Sequence, residues 1–467
     1  MKLTLLLFSS CVLLFSSLSL NAQQEREARM WLTTPDRTAL VAPQAAALHF
    51  SPKTGQLPEL TVDDAQHFQS IDGFGFALTG GSAQLLMRMG ATQRAALLKE
   101  LFTTGDNGIG VSYLRVSIGS SDMNERVFSY DDLPPGETDV EMAKFDLGPD
   151  RADVIPVLKE ILAIRPDIKI LGSPWSAPAW MKTNNDVKGG ELKPEYYGAF
   201  AKYFVKYIEA MRAEGIAIDT ITIENEPLNP KNTPSMVVFA KEEDTFIATA
   251  LGPAFEKAGI RTRILLYDHN PDVLSYALSI LGDPAASKYV DGTAFHLYGG
   301  EASLLAQVHD AYPKKNLYLT EQSVTQRRSG QLGIAEPVRS VMIGATRNWC
   351  RNVLLWNLAA DPQNGPHTDN GGCTGCSGAI TLDGDSVTRN VAYYVLEHFS
   401  QFVPPGSVRV ASSEEEQLAS VAFSTPEHKV VLVVSNTSNF AKPFSVKYHD
   451  TFFQTTLPPE SVGTFVW

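Results

Sequence analysis

Apolar and polar positions follow two different periods along the chain, and the pattern starts at residue 71. Short runs rich in β-branched and aromatic residues are each followed by a longer segment compatible with an amphipathic helix. Eight such runs can be counted: Ile71–Ala77, Val111–Ser117, Ile168–Ser173, Asp219–Glu224, Thr262–Tyr267, Gly292–Leu297, Asn316–Thr320 and Asn352–Asn357. Eight strand–helix units predict an α/β fold, a (β/α)8 TIM barrel.

The segment Tyr196–Glu214 shows the helical period most clearly. Its large apolar side chains recur at three- and four-residue spacing, which places them on one face of a helix. They are Phe200, Tyr203, Phe204, Tyr207, Ile208 and Met211. We interpret this stripe as core packing against the barrel strands.

After Asp383 the helical period disappears. Short β-branched runs follow one another, separated by turn formers such as Pro404-Pro405-Gly406. The runs are Val408–Val410, Ala419–Phe423, Val430–Ser435, Phe444–Tyr448, Thr451–Leu457 and Val462–Trp467. They predict an antiparallel β-sandwich, and the strand-like segment Met30–Phe50 is expected to join it from the other end of the chain.

The beginning of the chain has the features of a secretory signal. Met1-Lys2 is followed by an apolar run from Leu3 to Leu20 and by the small-residue exit Asn21-Ala22-Gln23. Lipidation at Cys11 is disfavoured, because this cysteine lies inside the apolar run. The predicted organisation is therefore a signal peptide (1–22), N-terminal strands that join the sandwich (23–66), the barrel (67–384) and the sandwich domain (385–467).

Composition limits the partners of the mature chain. No later stretch reaches the ~20 apolar residues of a transmembrane helix, so we expect a secreted or periplasmic protein. The net charge of −13 and the absence of basic runs argue against nucleic acid and anionic membrane surfaces, and they suit a neutral substrate. The oligomeric state is left open.

Three cysteines remain after removal of the signal peptide. Cys373 and Cys376 are three positions apart and are candidates for a disulfide that stiffens a loop. A zinc site would need more ligands than His367 nearby supplies, and Cys350 is interpreted as a buried thiol. No metal and no cofactor are expected.

The residues whose side chains could carry out catalysis lie where predicted strands give way to loops. Glu226 lies two residues after the fourth run, in the segment Thr222-Ile223-Glu224-Asn225-Glu226, and Glu321 directly follows the seventh run. Active sites of parallel barrels form at the carboxyl ends of the strands, and glycoside cleavage with retention needs two carboxyl groups about 5 Å apart. The same rim is predicted to carry Arg115, Trp175, Asn225, His296, Tyr298 and Trp356.

These motifs resemble those of glycoside hydrolase family 30, which includes the lysosomal glucosylceramidases. The most specific block is Ser-Pro-Trp-Ser-Ala-Pro-Ala-Trp-Met-Lys-Thr-Asn at 173–184, whereas Asn-Glu-Pro at 225–227 is shared by many barrel glycosidases. The other motifs are Gly73-Phe74-Gly75, Arg115-Val116, His296-Leu297-Tyr298, Thr320-Glu321, Trp356-Asn357-Leu358-Ala359 and Phe399-Ser400-Gln401-Phe402-Val403-Pro404. They run in the order of the family from about residue 70 to the C-terminus.

The resemblance implies a role for each residue of the rim. Glu226 would be the acid/base and Glu321 the nucleophile, and an ionised Glu321 is expected to raise the pKa of Glu226. Asn225 would bind the sugar 2-hydroxyl, and Arg115 would hold Glu321 ionised. Trp175 and Trp356 would form apolar walls for the sugar. His296 and Tyr298 are further candidates, and for His296 contact with the site and support of the strand are both open.

The chain departs from the family at two places. Glucosylceramidase-like members carry Thr-Asp after the Gly-Phe-Gly segment, and that aspartate binds hydroxyls on the far side of the glucose; here Thr79 is followed by Gly80. The glycine-rich loop 364–378 is the second departure. Both favour an endo-β-1,6-glucanase. The alternatives are a glucosylceramidase or exo-β-glucosidase, a β-xylosidase or xylanase, and, remotely, an inactive glycan-binding protein.

Overall fold

The computed structural model describes residues 26–52, 55–105, 108–325 and 330–467. The predicted signal peptide, with Cys11, lies outside the described residues. Within the described ranges, no helix has both the length and the apolarity needed to cross a bilayer.

The central element is a closed barrel of parallel strands, as predicted. The described residues form eight strands: Gly73–Ala77, Tyr113–Ser117, Lys169–Ser173, Thr220–Thr222, Arg263–His269, Val290–His296, Asn316–Glu321 and Cys350–Leu355. Each pairs in parallel with the next, and the eighth pairs with the first. We refer to them as barrel strands one to eight. Strand four is shorter than its apolar run, because the chain turns into the rim loop directly after Thr222.

Helices surround the barrel. The predicted helix of aromatic residues is Tyr197–Ala213, and its stripe of large side chains is buried. The other helices are Gly80–Arg88, Ala91–Phe102, Val154–Ile164, Ala240–Phe246, Gly252–Ala258, Leu274–Gly282, Pro284–Ser287, Leu305–Ala311, Ala335–Pro337, Gly344–Arg347 and Val391–Ser400, with π-helical turns at Ile247–Leu251 and Val338–Ile343.

Close packing fills the barrel interior. Tyr113, Leu171, Leu265, Ala294, Tyr318 and Leu354 form one buried apolar cluster contributed by six of the strands. Strand one lies so near strand two that a Cβ on Gly75 would come within 1.6 Å of the carbonyl oxygen of Tyr113. Only glycine fits this position, which explains the Gly-Phe-Gly segment in terms of packing.

A continuous sheet forms the second domain. Its order is Ala42–Pro43, Glu27–Thr33, Val462–Val466, Val430–Asn436, Leu418–Ser424, Val408–Ser412, Glu59–Ser70, Lys442–Tyr448 and Thr451–Leu457, and Leu48–His49 pairs with Glu27–Thr33. The sheet encloses its own apolar core, which includes Leu60, Phe444 and Phe465. The predicted strands from both ends of the chain are thus combined in one sheet.

The strand Val430–Asn436 is buried on both faces. Leu432 and Val434 point into the core of the sheet, whereas Val431 and Val433 belong to the core shared with the barrel. Successive side chains of a strand point to opposite faces, so the apolar residues of this one strand contribute to two different cores. The sheet is docked on the barrel by its second apolar face.

The strand Glu59–Ser70 was not predicted over its full length. It pairs with Val408–Ser412 and with Lys442–Tyr448, and most of its residues after Val62 are exposed or half-buried. Its sequence is polar for that reason. The strand leads directly into the barrel at Gly73, so the barrel lies between sandwich strands in sequence.

Candidate active site

The structure brings all the predicted rim residues to the carboxyl ends of the barrel strands. Arg115 lies in strand two, Asn225 and Glu226 follow strand four, and Glu321 ends strand seven. The remaining members are His296 at the end of strand six, Tyr298 two residues later, Trp175 two residues after strand three and Trp356 directly after strand eight. The side chains that the strand pattern placed at the rim therefore lie at the same end of the barrel.

Glu226 and Glu321 face each other across this pocket. A carboxylate oxygen of each lies within 4.8 Å of the other and of a His296 nitrogen, and both side chains are buried. Glu226 has a left-handed backbone with φ of +49°, and its N–H donates to the carbonyl oxygen of Asp268 at 3.0 Å. The separation is that of a retaining glycosidase, in which the carboxyl groups are about 5 Å apart.

Arg115 is fully buried and joins the carboxylates into one network. Its Nη1 donates to Oε2 of Glu321 at 2.5 Å, and its Nη2 donates to Oδ2 of Asp268 at 2.7 Å and to Oδ1 of Asn225 at 2.8 Å. The bond to Oδ1 fixes the amide of Asn225, so that its NH2 group is the donor it can offer to a bound molecule.

Asp268 is the residue that sequence reasoning missed. It follows Tyr267, where strand five was predicted to end, and it is fully buried. Its Oδ2 accepts from Arg115 and Thr222, and its Oδ1 accepts from Thr320 and faces Nε2 of His296 at 3.2 Å. One signal in the sequence could have identified Asp268: it is an acidic residue at the carboxyl end of strand five, and no other rim residue had been predicted on that strand.

His296 lies between three carboxylates. Its Nδ1 is 3.4 Å from Oε1 of Glu226 and 3.9 Å from Oε1 of Glu321, while its Nε2 faces Asp268. Burial disfavours a charged ring, but Glu321, Asp268 and Glu226 outweigh burial and raise the pKa of His296 to about 9. The ring is therefore an imidazolium at neutral pH.

This imidazolium reverses the order of pKa values that the sequence suggested. Burial alone would raise the pKa of Glu226, but hydrogen bonds from His296 and Asn229 and the charge of His296 lower it to about 2. Burial raises the pKa of Glu321 above its ordinary value, against the opposing charges of His296 and Arg115. The expected net rise in the pKa of Glu226 is thus wrong, because the sequence did not show the charged His296 ring beside it.

Tyr298 forms part of the pocket mouth. Its hydroxyl donates to Oε1 of Glu321 at 2.9 Å and lies 3.1 Å from the hydroxyl of Ser323. The residue is 45% exposed, so its ring is open to solvent while its hydroxyl is fixed on the carboxylate. Tyr298 thus contacts Glu321, whereas His296 lies beside both glutamates.

Trp175 and Trp356 pack against each other beside Arg115. Their ring centroids are 5.5 Å apart, and the guanidinium of Arg115 lies 4.7 Å from the Trp175 ring. The rings are only 2% and 4% exposed, so a small part of each is available to a sugar. Cys373 and Cys376 form a disulfide that packs on the same cluster.

Among the described residues, one group of three potential metal ligands lies close together: Glu226, His296 and Glu321. Two protein cations already occupy this cluster, because Arg115 binds Glu321 and the His296 ring is charged. Their positive charge provides the electrostatic compensation that a bound cation would otherwise supply.

The space beside Gly80 is filled by a side chain from a neighbouring loop. A Cβ on Gly80 would lie 2.0 Å from Nδ2 of Asn124, whose Oδ1 accepts from the backbone N–H and the hydroxyl of Ser121. The space of the missing side chain is therefore taken up by the Asn124 amide. A side chain at position 80 would have to displace this amide.

Comparison with known sequences and structures agrees with this architecture. The profile described as "Glycosyl hydrolase family 30 TIM-barrel domain" matches residues 71–403, and that of the "Glycosyl hydrolase family 30 beta sandwich domain" matches residues 406–465. Together they account for both structural units.

Individual relatives cover most of the chain. An endo-1,6-β-D-glucanase of Aspergillus fumigatus is 35% identical over 406 residues, which is 81% of either chain. The lysosomal acid glucosylceramidase of Mus musculus is 31% identical over 89% of this chain and 84% of its own. The solved structure of the endo-β1,6-glucanase BT3312 superposes with a TM-score of 0.87 at 35% identity, over 94% of this chain and 99% of that chain. With two family profiles and relatives above 30% identity along its length, the chain is a member of glycosyl hydrolase family 30, a retaining glycoside hydrolase.

Proposed function

We propose that the protein is a secreted retaining endo-β-1,6-glucanase in which Glu321 is the nucleophile and Glu226 the acid/base. The observation that carries the mechanism is the separation of the two glutamates, with carboxylate oxygens within 4.8 Å of each other. This distance leaves no room for a water molecule between the carboxyl group and the anomeric carbon, as inversion would require.

In the first step, Oε of Glu321 attacks the anomeric carbon and the bond to the leaving oxygen breaks. Glu226 supplies the proton that the leaving oxygen needs. Since the pKa of Glu226 is low, the proton for this step comes from Nδ1 of His296, which lies 3.4 Å from Oε1 of Glu226. We infer that His296 transfers this proton to Glu226 once substrate is bound.

In the second step, water attacks the anomeric carbon of the glycosyl ester and the bond to Glu321 breaks. Glu226 is now ionised and takes a proton from the water. The ester has removed the negative charge of Glu321, one of the charges that hold His296 protonated. Deglycosylation restores that charge, so the proton that Glu226 took from the water returns to His296 and the starting state is recovered.

Neighbouring residues assist both steps by orienting the nucleophile and the sugar. Arg115 and Tyr298 each bind one oxygen of Glu321, which orients the carboxylate for attack. The amide of Asn225, fixed by Arg115, is the donor for the sugar 2-hydroxyl, a bond that strengthens as charge develops at the anomeric carbon.

The choice of β-1,6-glucan is supported by relatives and by one local departure. Three proteins described as endo-1,6-β-D-glucanases are 33–36% identical to the chain, whereas four described as glucosylceramidases are 28–31% identical. The aspartate typical of glucosylceramidase-like sequences after Thr79 is absent, and Asn124 takes its space. A glucosylceramidase or exo-β-glucosidase is the second candidate, because the mouse enzyme aligns over 89% of the chain.

Two variants test the catalytic assignment. Glu321→Gln is expected to abolish turnover on every substrate, because it removes the attacking oxygen. Glu226→Ala should still form the glycosyl ester from an activated nitrophenyl β-glucoside, and added azide should then yield a β-glycosyl azide.

Glu224→Gln is the matched control for these variants. Glu224 lies two residues before Glu226 and is equally buried, and burial raises its pKa well above the ordinary value, so the neutral glutamine preserves its state. It should retain activity within about tenfold. An α-glycosyl azide from Glu226→Ala, or turnover by Glu321→Gln at the level of this control, would contradict the assignment.

Product analysis tests the substrate. The wild-type protein is incubated with pustulan-type β-1,6-glucan, laminarin, glucosylceramide, glucuronoxylan and nitrophenyl β-glucoside and β-xyloside. We expect a ladder of β-1,6-linked oligosaccharides from the first polymer. Glucose as the sole early product, or release of ceramide at a higher rate, would instead support the second candidate.

A further inference from the structure

The two carboxylate oxygens of Glu226 face different neighbours. Oε1 lies 3.4 Å from Nδ1 of His296 and 4.0 Å from Nε2 of His269. Oε2 instead accepts two amide hydrogen bonds, from Nδ2 of Asn229 at 2.7 Å and from Nδ2 of Asn232 at 3.2 Å. The proton transfer from His296 uses the first oxygen and gives no role to the two amides at the second.

The amide of Asn229 has a fixed orientation. Its Oδ1 accepts from the backbone N–H of Lys231 at 3.1 Å, and its own backbone N–H donates to the carbonyl oxygen of Glu226 at 2.8 Å. Because Oδ1 is the acceptor in this turn, the NH2 group is the end of the amide that faces Glu226. Asn229 is therefore preorganised as a donor to Oε2.

The 364–378 loop holds the segment with the two asparagines in place. The hydroxyl of Thr233 donates to the carbonyl oxygen of Asn370 at 2.6 Å, and the carbonyl oxygen of Thr233 accepts from the hydroxyl of Thr368 at 2.5 Å. Gly371 has a φ of +128°, and a Cβ on it would lie 2.7 Å from Oγ1 of Thr233. The glycine-rich loop thus packs against the residue that follows the second asparagine.

Two donors at Oε2 restrict where a proton can reside on Glu226. A carboxylate oxygen offers two lone pairs, and the amides of Asn229 and Asn232 occupy both of them at Oε2. Protonation of Oε2 would require one amide to leave, whereas Oε1 faces the proton on Nδ1 of His296. The amides thus select the oxygen that takes part in proton transfer.

Several groups act on the protonation of Glu226 together with the amides. The two histidines lie on the Oε1 side, and the other titratable groups coupled to it are Glu321, Asp122 and Tyr298. Burial raises the pKa of Glu226, but hydrogen bonds from His296 and Asn229 and the charge of His296 lower it to about 2. Loss of an amide donor should therefore raise this pKa, because a hydrogen bond to the ionised form stabilises that form.

We propose that Asn229 and Asn232 are positioning residues that reserve Oε2 of Glu226 as an acceptor and so direct the proton transfers of both steps through Oε1. In the first step the proton passes from Nδ1 of His296 to Oε1 and then to the leaving oxygen. In the second step it passes from the attacking water to Oε1. The proposal rests on the acid/base role of Glu226 under the proposed function, and it does not depend on the choice of glucan.

The test follows the second step by itself. The glycosyl ester is formed on Glu321 with 2,4-dinitrophenyl 2-deoxy-2-fluoro-β-glucoside, excess reagent is removed, and the return of activity is timed from pH 3 to 7. This step needs ionised Glu226, so its rate declines as the pH falls through the pKa of that group. In Asn229→Ala and in Asn232→Ala we expect the midpoint of this decline to lie about one pH unit higher than in wild type.

Asn184→Ala is the matched control. Oδ1 of Asn184 accepts from the N–H of Asp186 at 3.2 Å, and its Nδ2 donates to the carbonyl oxygen of Lys188 at 2.8 Å. This variant therefore loses the same two kinds of hydrogen bond as Asn229→Ala, in the loop after strand three, without touching Glu226. Its profile should match that of wild type. Asn232→Ala leaves the Asn229 turn intact and remains informative if Asn229→Ala does not fold.

Reactivation that slows equally at every pH would mean that the asparagines only support the loop, and unchanged rates would mean that their hydrogen bonds do not act on Glu226. Either result overturns the inference. Failure of the proposed function has a different signature, because the wild-type protein would then form no glycosyl ester on Glu321 and there would be no reactivation to compare.

Discussion

The His296 ring lies beside both glutamates. Among the described residues of the site, it is the one side chain in that position that is expected to change from charged to neutral between pH 7 and 10. Its raised pKa means that the proton is present below pH 9 and is lost as the pH rises through about 9. A proton supply of this kind extends acid catalysis well above the ordinary pKa of a glutamic acid.

We therefore expect kcat/KM on a β-1,6-linked oligosaccharide to decline above about pH 9. In His296→Asn the decline should begin at least one pH unit lower, because Glu226 must then retain its own proton. The measurement is a profile of kcat/KM from pH 4 to 10. The control is His398→Asn, a buried histidine that contacts Thr33 and Thr464 far from the rim, which should keep the wild-type profile. Identical profiles for His296→Asn and wild type would contradict the proton transfer.

Asp268 and Asp72 are buried acids at opposite ends of the barrel. Substitutions at the two positions are expected to distinguish effects on activity from effects on stability. Asp268 joins Arg115 to His296 at the rim, whereas Asp72 precedes strand one and pairs with Lys169 and Arg351. Asp268→Asn should lower kcat/KM at least a hundredfold, because it releases both cations that orient the glutamates. It should also cost on the order of 3–5 kcal/mol of folding free energy, since Arg115 loses a fully buried partner.

Asp72→Asn is expected to leave kcat/KM within about threefold of wild type. Burial would raise the pKa of Asp72, but Arg351 and Lys169 hold it below its ordinary value. Its contribution to stability is consequently present above about pH 4 and is lost as the pH falls through the lower, folded-state pKa. The stability difference between wild type and Asp72→Asn, measured by urea unfolding, should shrink as the pH is lowered from 6 to 3. A difference that grows with acidity would contradict this account.

At the scale of elements, the contact between Gly80 and Asn124 connects the first helix to the loop after strand two. Gly80→Ala places a Cβ where the Asn124 amide lies, so we expect a loss of about 1–3 kcal/mol from overpacking and a lower kcat/KM from displacement of the loop. Gly80→Ala combined with Asn124→Gly should recover part of the stability. The melting temperatures of both single variants and of the double variant are compared: a loss in the double variant equal to the sum of the two single losses would mean that the two positions are independent.

The sequence predicted the regular elements better than the loops that complete the site. All eight barrel strands lie within a few residues of their apolar runs, because strands buried on both faces must be continuous apolar segments. Glu226 and Glu321 were recognised because they lie just after the ends of such runs. Asp268 escaped because the strand continues through Tyr267 to His269, and a left-handed Asp268 backbone does not follow from a strand pattern.

Other features depended on long-range contacts that no local pattern encodes. The polar strand Glu59–Ser70 is defined by its hydrogen-bond partners at 408–412 and 442–448 and not by burial. The order of the pKa values of the two glutamates depends on His296, whose position between them required the barrel to be closed. Residue types along the rim were therefore predictable, and their electrostatic coupling was not.

At the scale of the whole molecule, the two ends of the chain stabilise each other. The last strand, Val462–Val466, pairs with Glu27–Thr33 on one side and with Val430–Asn436 on the other, and Phe465 is fully buried in the sandwich core. A chain that ends at Ser461 should therefore show no cooperative unfolding transition, since two strands lose their partner. Phe465→Leu, which keeps the backbone pairing, is the control and should still unfold cooperatively with reduced stability. Cooperative unfolding of the truncated chain would contradict this prediction.

The same pairing determines when the fold can be completed during synthesis. Arg29 is synthesised long before its partner Val466. The barrel strands can pair with one another as they emerge, but the edge of the N-terminal strand that binds Val462–Val466 stays open until those residues have been made. Every chain that is released before that point carries an unpaired β-strand edge near its N-terminal end.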